Sequence, residues 1–264
     1  FSSGNAEENS SLPVKKWLNI AFVSHSTGEL ELDIFRPNDS KERVVVLCLH
    51  GGFWAKGSKK FMHPLAGDLV EKGYIAVCSN YRLTDVAPAP AQLHDVFSAI
   101  RFLRENASDY GIDPGKVGVT GSSAGGYLAV MAAVFDSGNK RTRPNAAIGM
   151  GAQTDLTSPH IQNSTAPNWS KFMGGLYKEV PQNYLKQSPI AHLTEDDPPI
   201  AIICGEYDKP STRADAFRQK ALRLGVPTTL TEIPGAPHGL LKAAAHRKIA
   251  VEAIDNFLKV HLGK

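Results

Sequence analysis

KVGVTGSSAG, residues 116–125, is the stretch that decides the fold. Residues 116–120 predict a short strand, and the Ala-rich residues after it predict a helix over 124–135. At the junction, Gly121 and Gly125 flank Ser123 in a Gly-x-Ser-x-Gly pattern. A serine on such a strand-to-helix turn has its hydroxyl lifted above the sheet, beside the amides of the helix N-terminus. We therefore predict that Ser123 is a nucleophile; the alternative is a serine that only caps the helix.

Strand and helix patterns alternate on both sides of this turn. Strands are predicted at 44–49, 74–79, 116–120, 146–151, 199–204 and 228–233, and helices at 61–72, 91–106, 124–135, 211–224 and 239–261. Two further strands, 17–23 and 30–35, precede them, and the second alternates as a half-buried edge strand does. This order predicts the α/β class, with a mainly parallel sheet and helices on both faces.

The length of 264 residues favours one domain spanning 1–264, because a chain of this size removes about 70–75% of its unfolded surface from water. Residues 1–13 are polar and without a period, so they predict a loose arm. Residues 153–197 combine proline, polar residues and scattered aromatic side chains between two core strands. A connection this long favours a lid or cap over the site.

Composition excludes several classes of protein. With 29 Lys and Arg against 26 Asp and Glu, charge gives no reason to expect nucleic acid. The apolar runs fall short of the roughly 20 residues of a membrane span. Cys48, Cys78 and Cys204 lie singly in apolar runs without a CxxC pair, so neither a metal nor a cofactor is expected.

Because the chain begins at Phe1, a signal peptide would lie outside it; we expect a soluble protein, periplasmic or secreted rather than cytoplasmic. The oligomeric state stays open.

A second pattern, HGGFW at 50–54, follows directly on the apolar strand 44–49. Glycines there allow backbone amides to point into the space above the serine, where they would stabilise an oxyanion. We predict that the amides of Gly52, Phe53 and Ala124 are these donors. The position of His50 at the strand end favours a hydrogen bond that braces the loop over a role as general base.

The general base is selected from nine histidines. In this order of elements the base lies between the last strand and the last helix. His238, within IPGAPHG at 233–239, has that position, whereas His246 and His261 fall inside the predicted last helix. The prolines and glycines of the loop suit a side chain that must keep one orientation.

The acid should follow the preceding strand, 199–204. We predict Asp208, which would orient His238 and stabilise its imidazolium form. Glu206 and Asp155 remain alternatives. The chain order is then Ser123, Asp208, His238, which distinguishes this arrangement from other serine hydrolases.

These residues resemble the α/β-hydrolase superfamily, and within it the carboxylesterases related to hormone-sensitive lipase. The resemblance runs from about residue 44 to the C-terminus and includes YRL at 81–83 and GG at 125–126. The group usually has a third glycine where this chain has Phe53 and an acidic residue where it has Ser122. HGGxW is instead characteristic of kynurenine formamidase-like hydrolases, and occurs in bacterial esterases resembling acetylxylan and feruloyl esterases. The resemblance implies the α/β-hydrolase fold.

The leading hypothesis is a serine esterase that acts on small acyl or aryl esters through a Ser-His-Asp triad and an acyl-enzyme. Trp54, Trp169 and Phe172, together with Phe53, would bound a short acyl or aryl pocket, although Trp54 could equally pack beneath its loop. The partner would be a small-molecule ester. An arylformamidase or amidase with the same triad is the second hypothesis, a serine peptidase the third, and a non-catalytic receptor that keeps the fold the fourth.

Overall fold

The structure is a computed structural model that describes residues 13–135 and 138–263. The arm predicted at 1–13 therefore lies, except for Pro13, outside the described residues.

The described residues form one sheet of eight strands in the order β1-β2-β4-β3-β5-β6-β7-β8. The strands are β1 (Val14–His25), β2 (Gly28–Pro37), β3 (Arg43–Leu49), β4 (Ile75–Ser79), β5 (Ile112–Ser122), β6 (Ala146–Met150), β7 (Ile200–Gly205) and β8 (Thr228–Ile233). β2 pairs antiparallel with β1 and β4, and the other neighbours are parallel. The predicted α/β class with a mainly parallel sheet is confirmed.

Helices connect the strands and cover the sheet. They are α1 (His63–Glu71), α2 (Ala91–Glu105), α3 (Ala107–Tyr110), α4 (Ala124–Val134), α5 (Pro159–Gln162), α6 (Pro167–Met173), α7 (Pro181–Lys186), α8 (Pro189–His192), α9 (Pro210–Arg213), α10 (Asp215–Arg223) and α11 (Ala244–Leu262). None of these helices is both long enough and apolar enough to cross a bilayer.

The core lies in two layers, one on each face of the sheet, and strand β3 contributes to both. Val45, Leu47 and Leu49 pack in the layer that contains α2 and α4. The alternate residues Val46 and Cys48 pack in the layer that contains α1 and α11. Successive side chains of a strand point to opposite faces, so a strand apolar at every position belongs between two helical layers. The central strands are thereby covered on both faces, and the ends of these strands can hold a site.

The two largest differences from the predicted helices are an internal break in one and a later start in another. The helix predicted at 211–224 is divided into α9 and α10 at Ala214, whose φ of −126° and ψ of −30° are not helical. The hydroxyl of Thr154 donates to the carbonyl oxygen of Arg213 at the end of α9. The helix predicted from 239 begins at Ala244, since residues 240–242 form a 3-10 turn and Ala243 is extended.

Residues 153–197 contain four short helices rather than structureless loop. Each of them begins with proline, at 159, 167, 181 and 189. Proline suits the first position of a helix because its missing N–H has no intrahelical acceptor to satisfy there. The prolines of this segment therefore determine where its helices start.

Candidate active site

Ser123 occupies the turn between β5 and α4 with φ 55° and ψ −113°. A non-glycine residue in this region is strained and persists only where the surroundings enforce it. Those surroundings are close: a Cβ on Gly125 would lie 2.1 Å from the carbonyl oxygen of Leu49, and one on Gly121 would lie 2.4 Å from the backbone of Gly125. The two glycines of the pattern are thus required for β3, β5 and α4 to meet.

Ser123, His238 and Asp208 are brought together above this turn. The Ser123 Oγ lies 2.8 Å from His238 Nε2, and His238 Nδ1 lies 2.7 Å from Asp208 Oδ2. The carboxylate can only accept, so Nδ1 carries the hydrogen and Nε2 is free to accept from the serine hydroxyl. The side chain of Asp208 is 3% exposed and that of His238 is 41% exposed. The acid is therefore shielded from water, while the base faces the site.

The two alternative acids have hydrogen bonds elsewhere. Glu206 Oε2 accepts from the backbone N–H of Gly235 at 2.7 Å and so supports the loop that carries the base. Asp155 Oδ1 accepts from the backbone and hydroxyl of Thr157, at 2.8 and 2.7 Å. Both carboxylates stabilise turns near the site.

Arg213 is a residue of the site that no pattern in the sequence indicates. Its Nε lies 2.8 Å from Asp208 Oδ1, and its Nη1 donates to Gln153 Oε1 at 3.2 Å. The sequence places Arg213 only inside a predicted helix, where an arginine is ordinarily solvated. Here it lies at the end of α9, against Asp208.

The HGGFW loop lies against the serine turn. Gly52, Phe53 and Trp54 have φ of 126°, 56° and 57°, so three successive residues have left-handed backbone. A Cβ on Gly51 would lie 2.9 Å from a carbonyl oxygen of the serine turn. The amide of Ala124 stands in the first turn of α4, where helices leave N–H groups without intrahelical acceptors. The loop and this helix end therefore both lie next to the serine.

His50 is built into the support of this loop. It is 1% exposed, its Nδ1 contacts the carbonyl oxygen of Gly51 at 2.9 Å, and its ring stacks on Tyr81 with centroids 4.2 Å apart. The Tyr81 hydroxyl donates to the His50 carbonyl oxygen at 2.8 Å. Burial lowers the pKa of His50 to about 4, so its ring is neutral at physiological pH. This geometry agrees with the bracing interpretation.

The buried neutral ring of His50 predicts a stability that depends on pH. Its pKa of about 4 when folded lies below the value of about 6.5 expected when unfolded. The unfolded chain then binds more protons, so this contribution is fully present above pH 6.5 and is lost as the pH falls toward 4. The free energy of unfolding should fall between pH 7 and pH 4 in the unaltered protein. In the His50→Gln variant this fall should be smaller, by up to about 3 kcal/mol, because glutamine does not titrate.

Urea unfolding at both pH values measures this difference. The His94→Gln variant is the matched control, because His94 is exposed. Equal pH dependence in the two variants would contradict the prediction.

A cavity of about 80 Å³ opens beside Ser123. Its apolar wall consists of Phe53, Trp54, Tyr127, Ile161 and Trp169, and its polar wall includes Gln153, His160 and Arg213. The three residues 153, 160 and 161 come from the segment predicted as a lid, but their individual positions carry no sequence signal. The cavity therefore has one hydrophobic and one hydrogen-bonding side.

Of the predicted pocket residues, Phe53, Trp54 and Trp169 line the cavity, and the side chain of Trp54 is also largely buried. Phe172 lies behind them: it is 1% exposed and stacks on Trp54 with ring centroids 3.8 Å apart and planes at 4°. Phe172 also packs edge-to-face against Tyr127, with centroids 5.8 Å apart, so it supports two of the lining rings and is not itself a lining residue.

The three cysteines are buried free thiols. Within 13–135 and 138–263, no group of three or more His, Cys, Asp or Glu side chains is arranged to hold a metal ion.

Comparisons with known proteins agree with this architecture. Residues 32–220 match the family model described as BD-FAE. The chain is 32% identical over 253 residues to Esterase LipQ of Mycobacterium tuberculosis. This alignment covers 88% of the present chain and 60% of LipQ. It is 30% identical over 232 residues to an acetyl-hydrolase of Streptomyces hygroscopicus, covering 83% of this chain and 74% of that protein. The chain spans 56% to 62% of the length of its mycobacterial relatives.

Among solved structures, a truncated carbohydrate esterase from gut microbiota superposes with a TM-score of 0.81 at 23% identity. The match covers 96% of this chain and 99% of that one. At this level of identity the likeness shows the fold.

Proposed function

The chain belongs to the BD-FAE family, and from that membership we propose that it is a serine carboxylic-ester hydrolase acting on small acyl or aryl esters. The observation that carries the proposal is the pair of hydrogen bonds that join Ser123 Oγ to His238 and His238 to Asp208, at 2.8 and 2.7 Å. A nucleophile within reach of a base that a buried acid orients is the geometry of acyl transfer.

In the first half of the reaction Ser123 Oγ attacks the ester carbonyl carbon, and its proton passes to His238 Nε2. The buried Asp208 stabilises the imidazolium that forms, and the amides of Gly52, Phe53 and Ala124 donate to the oxyanion. The carbon–oxygen bond to the alcohol then breaks, the imidazolium protonates the departing oxygen, and the acyl group remains on Ser123.

In the second half a water molecule gives its proton to His238 Nε2 as its oxygen bonds to the acyl carbon. The tetrahedral intermediate collapses, Ser123 Oγ leaves and takes the proton back from His238. The products are the carboxylic acid and the regenerated serine, so no cofactor is consumed.

The cavity supports a short acyl group. Its volume of about 80 Å³ is well below the roughly 300 Å³ of a pocket for drug-sized ligands. Trp54 and Trp169 give it an apolar wall. The acetyl-hydrolase name of the Streptomyces relative agrees with this size. We propose that residues 153–197 are a cap within a single domain, since Ile161 and Trp169 reach the cavity from this segment.

A formamide is the second candidate substrate class, favoured by the HGGFW sequence at 50–54. The same nucleophile, base and oxyanion donors would cleave an amide bond. Turnover of N-formylkynurenine against that of p-nitrophenyl acetate separates the two classes.

Labelling with a fluorophosphonate tests the proposed function directly. We expect one equivalent to attach to Ser123, because the reagent phosphonylates a serine activated by a neighbouring base. Peptide mapping by mass spectrometry locates the adduct. The Ser122→Ala variant, altered at the adjacent serine, should label fully and Ser123→Ala not at all. A folded protein that neither labels nor hydrolyses esters would refute the proposal in favour of a non-catalytic receptor.

A further inference from the structure

Arg213 contacts the side of Asp208 that faces away from His238. Its Nε lies 2.8 Å from Asp208 Oδ1 and donates to the carbonyl oxygen of Asp208 at 3.0 Å. The Asp208 side chain is 3% exposed, so water does little to compensate its charge and a partner is needed. A histidine ring, unlike a guanidinium, is not permanently charged. Arg213 therefore supplies the permanent positive charge beside this carboxylate.

The guanidinium of Arg213 is itself held in place. Its Nη1 donates to Gln153 Oε1 at 3.2 Å and to the carbonyl oxygen of Gly151 at 3.4 Å. The carbonyl oxygen of Arg213 accepts from the Thr154 hydroxyl. Because the guanidinium is planar, hydrogen bonds at Nη1 also fix the direction of the N–H on Nε. The donor that faces Asp208 is thus oriented before any substrate binds.

We propose that Arg213 is a positioning residue that holds the Asp208 carboxylate with Oδ2 toward His238 and compensates part of its charge. The inference rests on the proposed function, because it assigns Arg213 a part in the same reaction. Arg213 also lines the cavity, so direct contact with substrate is the competing explanation. The two roles differ in what they change: positioning affects kcat and its pH dependence, whereas substrate contact affects KM.

Other titratable groups near the Asp208–His238 pair come from several elements of the described chain. Cys204 on β7 is neutral, since burial raises the pKa of its thiol to about 12. Glu206 is hydrogen-bonded to Gly235, and His160 faces the cavity from α5. Loss of the positive charge of Arg213 leaves the pair with a greater affinity for protons. The acid limb of the activity profile should then move to higher pH.

Steady-state hydrolysis of p-nitrophenyl acetate between pH 5 and pH 9 tests the proposal in three variants. We expect Arg213→Met to lower kcat about 10- to 100-fold with KM within about threefold, and to move the acid limb of kcat/KM upward by about one pH unit. Arg213→Lys restores the charge but not the planar fork, so its acid limb should return while kcat recovers in part. Arg223→Met, at an exposed arginine of α10, should match the unaltered protein.

An increase in KM with unchanged kcat and pH profile would overturn the proposal in favour of substrate contact. Identical behaviour of Arg213→Met and Arg223→Met would also overturn it. If circular dichroism shows that Arg213→Met does not fold, the Arg213→Lys variant tests the proposal instead. A kcat at least about fivefold lower than that of the unaltered protein, at constant KM, supports positioning. An unchanged kcat contradicts it. Unaltered protein that resists the fluorophosphonate refutes the proposed function itself, whereas normal labelling with insensitive Arg213 variants refutes only this inference.

Discussion

Ser123→Ala should lower kcat for p-nitrophenyl acetate by a factor of at least about 10⁴. The substitution removes the Oγ that lies 2.8 Å from His238 Nε2, and no acyl-enzyme can form without it. Residual hydrolysis would come from the oxyanion donors and from bound water. The cavity walls are unchanged, so substrate binding should persist.

Stopped-flow absorbance at high enzyme concentration measures this effect. The unaltered protein should release a burst of p-nitrophenol equal to its active sites, and Ser123→Ala should release none. Ser122→Ala is the control, since it shortens the neighbouring side chain and leaves Oγ of Ser123 in place; its kcat should change less than about fivefold. Retained burst kinetics in Ser123→Ala would refute Ser123 as the nucleophile.

Asp208→Asn should lower kcat by about 10³- to 10⁴-fold at neutral pH. The new amide can donate to Nδ1, which moves the ring hydrogen to Nε2 and leaves the serine hydroxyl without an acceptor. The amide also has no charge with which to stabilise the imidazolium. Steady-state kinetics, with thermal unfolding to show that the variant is folded, measure the loss.

Glu206→Gln and Asp155→Asn are matched controls for this carboxylate. Their carboxylates accept from Gly235 and Thr157 rather than from His238. We expect each control to retain kcat within about fivefold and to lose some stability through its turn. A loss in Glu206→Gln as large as that in Asp208→Asn would move the acid role to Glu206.

The acid shows why part of the site could not be predicted from the sequence. Asp208, Glu206 and Asp155 each follow a strand that ends at the same edge of the sheet, so position along the chain leaves all three as candidates. What distinguishes them is the direction of a side chain, which depends on loops distant in sequence. The Glu206 carboxylate bonds to Gly235, 29 residues later in the chain, and the Asp208 carboxylate bonds to His238, 30 residues later.

The pocket was harder to predict for the same reason. Trp54 and Trp169 line the cavity, yet Phe172, of the same chemical type and from the same segment as Trp169, stacks behind Trp54. The aromatic residues of a short-helix segment carry no period that says which ring stands in front. Arg213 carries no signal at all, because an arginine inside a helical pattern looks the same whether its side chain pairs with a carboxylate or is solvated.

The sequence by itself determined the fold and the place of the serine, because both depend on local rules. A strand apolar at every position, such as β3, must lie between two layers, and only glycine at 121 and 125 lets the backbone approach as closely as the serine turn requires. The tertiary structure alone decided which carboxylate faces His238, which rings line the cavity, and that Arg213 pairs with Asp208. These depend on side-chain directions set by contacts between distant segments, and no local pattern encodes them.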